Sequence, residues 1–196
     1  LRVLDILANA SATIAEGEVL QLTAARDLTT TEDIYLQVVR GKTAALFSAA
    51  TEVGGVIAAA PEDQSKALFD YGDALGIAFQ IVDDLLDYQG DTKATGKNVG
   101  DDVRERKLTL PVIKAIAAAN AEEYAFWKRV IEKGDQRDGD LDHALDLLNT
   151  HGALDQTRQQ ALEWAARAKT ALAPLPEHPV RQMMLDLADY VVARIN

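Results

Sequence analysis

Gly76-Ile-Ala-Phe-Gln-Ile-Val-Asp-Asp-Leu-Leu-Asp-Tyr88 sets three aspartates, Asp83, Asp84 and Asp87, inside one of the most apolar runs of a 196-residue chain. Wound as a helix at about 100° per residue, Asp83, Gly76, Asp87, Gln80, Asp73 and Asp84 fall in one arc of roughly 100°. Ile81, Leu85, Ala78, Val82 and Leu86 fill the opposite arc. One face is therefore expected to pack and the other to present clustered carboxylates over a small glycine. Adjacent carboxylates raise each other's proton affinity unless a cation sits between them. Mg²⁺ suits such a face, because it takes carboxylate and phosphate oxygens and keeps several waters. An acidic helix face is more commonly a solvated surface, but such surfaces mix lysine and glutamate, and this arc has neither.

Composition narrows the classes. Hydrophobic residues make up 48%, with alanine and leucine dominant, and alternating strand-type runs are missing, so the chain reads as all-α and one domain. There is no cysteine, which excludes disulfides and thiolate metal sites and fits a reducing, cytoplasmic setting. The net charge of −11 argues against nucleic-acid binding, which needs a basic footprint. No apolar run approaches the ~20 residues of a membrane span. An anionic substrate would need local lysines or bridging metal.

Outward from the aspartates, the pattern predicts a helix from Leu1 to about Ala25, with Glu16, Glu18 and Gln21 set among apolar residues. Thr31 is a good N-cap for a helix from Glu32 to Thr51 and on to Ala59. Pro61 starts the aspartate helix, which runs to Tyr88. Gln89–Gly100 is a polar loop, Val112–Ala119 a short helix and Ala121–Lys133 another. Gly134–Asp140 is a turn-rich linker that fails the calcium-loop ligand pattern. Helices at Leu141–Thr150, Leu154–Ala173 and Val180–Ile195 follow, separated by Pro174, Pro176 and Pro179, and read as packing elements.

Gly41-Lys42-Thr43 lacks the upstream glycine and strand of a phosphate loop and lies mid-helix, where glycine costs about 1 kcal/mol against alanine. It reads either as a surface lysine beside a small packing contact or as a lysine and hydroxyl aimed at a phosphate. Lys97 and Lys107 add cations after the acidic face, and Asp101-Asp102 adds carboxylates. Carboxylates, metal and lysines together suit a diphosphate leaving group, whose stabilisation ionises an allylic carbon in a dry pocket. His143, His151 and His178 sit beside turns and prolines and read as surface groups.

The set Gly41-Lys42-Thr43, Phe79-Gln80, Asp83-Asp84-Leu-Leu-Asp87, Thr95-Gly96-Lys97 and Asp102-Val-Arg-Glu-Arg-Lys107 resembles the isoprenyl diphosphate synthases in order and spacing. The run Gly96–Asp102 with Leu108-Thr109-Leu110-Pro111 looks most like the long-chain octaprenyl to decaprenyl type. The resemblance implies an isoprenoid synthase-type helical bundle around a central cavity, with residues 1–196 covering its C-terminal two-thirds or so. It implies Mg²⁺ bound by Asp83, Asp84 and Asp87, with Asp102 or its neighbour Asp101 as a further metal-associated residue. Lys42 and Lys97 would hold the allylic diphosphate, with Lys107 a further candidate, and Thr43 and Gln80 would face the developing cation. Phe79 would line the isopentenyl diphosphate site. The implied reaction is ionisation of the allylic diphosphate, attack by isopentenyl diphosphate and proton loss, in a homodimer making a ubiquinone side-chain precursor.

Two departures qualify the resemblance. The family's first Asp-rich motif has no counterpart here, and Arg106 stands where glycine is usual. The absent motif and the start at Leu1 lead us to expect a truncated chain without turnover of its own. A class I terpene cyclase and a non-catalytic regulatory subunit of a heteromeric synthase are the alternative readings.

Overall fold

The computed structural model describes residues 1–89 and 99–195, and all regular structure among them is helical. In chain order the helices are α1 (Arg2–Ala24), α2 (Glu32–Val39), α3 (Ala45–Ile57), α4 (Glu62–Gln89), α5 (Asp101–Arg104), α6 (Leu110–Ala118), α7 (Ala121–Trp127), α8 (Asp140–Thr150), α9 (Ala153–Ala171) and α10 (Pro179–Ala193). Two π-helical segments, Arg40–Ala44 and Lys128–Lys133, join α2 to α3 and extend α7.

The start signals hold. The Thr31 hydroxyl accepts from the Ile34 amide at 3.3 Å, and Asn120 and Glu123 form a reciprocal capping box. His178 also caps: its Nδ1 accepts from the Val180 amide at the start of α10.

Helix α4 is the axis of the molecule. Its 28 residues extend about 42 Å at 1.5 Å per residue. It packs against α3 on one side and α9 on another. Contact with α3 and the end of the π segment before it is close because glycines face them. A Cβ on Gly72 would lie 2.6 Å from the Phe47 carbonyl oxygen, and one on Gly76 would lie 2.6 Å from Ala44 Cα. Ile77, Ala78, Ile81, Val82 and Leu85 are fully buried in the main core, which α9 and α10 complete. A second core under α6 to α8 centres on Trp127, Val112, Ile131 and Leu148.

Three expectations change. The helix predicted from Glu32 to Ala59 is interrupted, because Arg40–Ala44 takes the wider π turn, and α3 after it ends at Ile57. Such a turn accommodates one extra residue and re-aims the side chains it carries. The second half of the predicted Ala121–Lys133 helix is likewise π-helical. Finally, Gly76 is part of the α3–α4 packing rather than the floor of an acidic face.

Candidate active site

A cavity of about 600 Å³ opens between α1, the Arg40–Ala44 segment, α4 and the turn after α5. Its wall carries Lys42, Thr43, Gln80, Asp83, Asp84, Asp87, Asp102 and Lys107. Residues more than 60 positions apart in sequence thus share one chamber. Lys97 lies outside the described residues.

Asp73 does not join them. It pairs with Arg40 at 3.0 Å beside a separate surface groove. The helical wheel placed it in the right arc, but ten residues earlier on α4 is about 15 Å along the axis. Phe79 is also outside the cavity wall: it packs against Phe47, ring centroids 5.5 Å apart, beneath the Arg194 guanidinium at 5.9 Å. Of the adjacent pair, Asp102 lines the cavity, whereas Asp101 pairs with Arg104 at 2.8 Å.

The three aspartates of α4 have different surroundings. Asp83 is exposed at the cavity. Asp87 is half-buried, and its Oδ2 accepts from the Asp102 amide at 3.0 Å. Burial raises the Asp87 proton affinity, the Asp102 amide opposes this, and the Asp102 and Asp101 charges add to it. Asp84 is buried, with both oxygens engaged: the Tyr35 phenol donates to Oδ2 at 2.6 Å and the Gln80 amide donates to Oδ1 at 2.8 Å. Burial pushes the Asp84 carboxyl up to about 7, against the pull of those two hydrogen bonds.

The cations are held by acids and amides. Lys42 Nζ donates to Gln21 Oε1 at 2.7 Å and pairs with Glu18 at 3.0 Å, both from α1. Lys107 bridges Asp102 at 3.0 Å and Glu105 at 2.6 Å. Partial burial pulls the Lys107 ammonium down, but the two carboxylates win and hold it above its ordinary value. Arg106, before it, adopts φ +64° and donates to the Ile131 and Glu132 carbonyls, tying this turn to the end of the second π segment.

Arg194, just past α10, also lines the cavity, so the last helices do more than pack. Tyr35, Glu18, Gln21 and Arg194 had no assigned role in the sequence. Glu18 and Gln21 gave a signal, as polar groups within an apolar helix; Tyr35 gave none. The histidines read as surface groups are side-on partners: His151 lies 2.9 Å from Glu123, and His143 stacks edge-on to Phe126 at 4.5 Å. No helix among the described residues is long and apolar enough to cross a membrane.

No cluster of three or more carboxylates or imidazoles among the described residues is close enough to hold a metal alone. The carboxylates present nevertheless fit Mg²⁺, which is commonly held by one or two carboxylates with water and phosphate oxygens completing its shell. Exposed Asp83 and a half-buried Asp87 of raised proton affinity, beside Asp102, are such a set. The cavity wall thus carries acids able to share a divalent ion together with the lysines Lys42 and Lys107.

Comparison with known proteins gives the family. The polyprenyl synthetase family profile matches residues 1–148. The chain is 43% identical over 194 residues to octaprenyl diphosphate synthase of Haemophilus influenzae, covering 99% of this chain and 59% of that protein. It superposes on a decaprenyl diphosphate synthase from Rhodobacter capsulatus with a TM-score of 0.94 and 72% identity, covering 100% of this chain and 60% of that one. A polyprenyl synthase from Caulobacter crescentus, complexed with calcium and isoprenyl diphosphate, matches with a TM-score of 0.92 and 47% identity, covering 98% and 59%. The chain belongs to the polyprenyl synthetase family and has the all-α isoprenoid synthase fold. It spans about three-fifths of the length of these relatives.

Proposed function

We propose that this chain carries the diphosphate-ionising side of a Mg²⁺-dependent trans-prenyltransferase, which condenses isopentenyl diphosphate with an allylic diphosphate into a long polyprenyl chain. The observation that carries this reading is the convergence on one cavity of Asp83, Asp87 and Asp102 with Lys42 and Lys107. Asp83 and Asp87, with Asp102, are the residues to hold the ion, which when bound supplies Lewis-acid neutralisation of the leaving diphosphate. Lys42 and Lys107, with Lys97, bind diphosphate oxygens by charge-assisted hydrogen bonds. Thr43 and Gln80 present oxygen atoms where positive charge develops on the allylic carbon. Phe79 with Arg194 above its ring is assigned to the isopentenyl diphosphate side.

A quinone side chain is the proposed use of the product, and the cytoplasm, where short allylic diphosphates dissolve, the proposed setting. Homodimer formation is proposed on the exposed Leu4, Leu7, Val19 and Leu22 of α1. With one acidic cluster at this cavity among the described residues, the chain by itself is expected to bind Mg²⁺–diphosphate without elongating.

The test incubates the 196-residue chain, and a version extended to the length of its relatives, with labelled isopentenyl diphosphate and an allylic primer. Isopentenyl diphosphate incorporated by the extended protein alone supports the reading. Elongation by the shorter chain overturns the half-site assignment. Consumption of the allylic diphosphate without incorporation points to a terpene cyclase instead.

A further inference from the structure

Four side chains from three parts of the fold form one directed hydrogen-bond chain. The Tyr35 phenol of α2 donates to Asp84 Oδ2 at 2.6 Å. The Gln80 amide, one turn back on α4, donates to Asp84 Oδ1 at 2.8 Å. Gln80 Oε1 accepts from the Thr43 hydroxyl of the π segment at 3.0 Å. Tyr35 is 6% exposed and Asp84 is 6% exposed, so the anchor is dry while Thr43 reaches the cavity wall.

The direction of the chain follows from donor inventory. The Tyr35 phenol and the Gln80 NH₂ donate to the two Asp84 oxygens, so the Gln80 oxygen is the atom left facing Thr43. The single hydroxyl hydrogen of Thr43 is then committed to Gln80. Toward the cavity Thr43 offers lone pairs only, which suit a cation or a water donor and repel a phosphate oxygen. A threonine inside a helix ordinarily turns its hydroxyl back to the carbonyl four residues earlier. Here the π segment aims it across to α4 instead.

We infer that Asp84 is the buried anchor of a Tyr35–Asp84–Gln80–Thr43 rail rather than a metal ligand, and that Tyr35 is a positioning residue that fixes the polarity of Thr43 and Gln80 toward the cavity. Metal binding is left to Asp83 and Asp87. Asp84 Oδ1 and Oδ2 each already accept a hydrogen bond at close to optimal length, whereas Asp83 is exposed to the cavity. This inference rests on the proposed diphosphate site, since the polarity matters only if charge develops there.

The test measures Mn²⁺ binding in the presence of inorganic diphosphate by calorimetry, and the Gln80 side-chain amide by nitrogen-15 NMR, for the wild type, Tyr35→Phe, Asp84→Asn, Asp83→Asn and Asp87→Asn. Asp83→Asn and Asp87→Asn should weaken Mn²⁺–diphosphate binding by roughly tenfold or more, as for loss of a charged partner. Tyr35→Phe and Asp84→Asn should change it by less than about threefold while shifting the Gln80 amide resonances and speeding their exchange, as expected on losing one net hydrogen bond. Equal weakening by Asp84→Asn and Asp83→Asn overturns the inference, as does an unmoved Gln80 amide in Tyr35→Phe. If Asp84→Asn does not fold, Tyr35→Phe decides. If the wild type binds no Mn²⁺–diphosphate, the proposed function fails, and the rail is judged on the Gln80 amide alone.

Discussion

Gly17 of α1 lies so close to Lys42 that a Cβ on the glycine would sit 2.6 Å from the Lys42 amide nitrogen. That approach brings Glu18 and Gln21 of the same helix onto the Lys42 ammonium. Gly17→Ala forces the helices apart against backbone, which cannot yield as a flexible side chain would. We expect a loss of about 1–3 kcal/mol, or roughly 3–10 °C in Tm. Scanning calorimetry checks the stability, and weaker binding of Mg²⁺–diphosphate checks the displacement of Lys42.

The Glu18–Lys42 pair sets up a competition. Both side chains are more than a third exposed, so the pair contributes at most about 1 kcal/mol. Glu18→Gln should therefore tighten binding of inorganic diphosphate with Mg²⁺ by about two- to fivefold, a modest change set by that energy. Lys42→Met should weaken it by roughly tenfold or more, the scale of a charge-assisted hydrogen bond. Titration calorimetry on both variants reads the two directions. A Glu18→Gln chain that binds more weakly would show that Glu18 orients Lys42 rather than restraining it.

Arg106 holds φ +64°, a conformation that suits glycine. The resemblance noted from the sequence has glycine there, and the observed backbone explains why. Arg106 survives because its guanidinium satisfies the Ile131 and Glu132 carbonyls. Arg106→Gly and Arg106→Ala lose those bonds alike, but alanine keeps the backbone strain. Arg106→Ala should be less stable than Arg106→Gly by about 1 kcal/mol. Urea denaturation of the two variants makes the comparison.

Asp84 links stability to pH. Its folded-state carboxyl lies at about 7 because of burial, above the unfolded value near 3.8. Between those values the native state binds the proton more readily than the unfolded chain. Stability from this group is therefore present at low pH and declines as pH rises from about 4 to 7, by at most about 4 kcal/mol. Relative to Asp84→Asn, the wild type should gain stability on acidification through that window. Urea midpoints at several pH values measure the difference. A constant difference would mean that Asp84 ionises in the fold as readily as in the unfolded chain.

Chelation separates a structural from a functional ion. Since no cluster among the described residues holds a metal alone, EDTA should leave the Tm unchanged within about 1 °C. Mg²⁺ with diphosphate should raise the Tm, and neither by itself should do so to the same degree. Thermal scans with each combination test this.

The sequence by itself determined the helices, their main caps and the acidic turn of α4, because periodicity and capping are local properties. It also placed Lys42, Thr43, Gln80, Asp83 and Asp87 as candidates, since polar groups in apolar helices stand out. It could not supply height along a helix: Asp73 shares an arc with Asp83 yet pairs with Arg40 far from the cavity. It did not reveal the π turn at Arg40–Ala44, whose extra residue depends on packing against α1 and α4. Only the tertiary structure turned Asp102 inward and Asp101 outward, brought Arg194 from the end of the chain to the cavity and buried Asp84 against Tyr35 across 49 residues. Those are long-range contacts, fixed by how helices dock rather than by what each helix is made of. The candidate residues are thus written in local pattern, while the differing surroundings of three neighbouring aspartates depend on which of them the fold excludes from water.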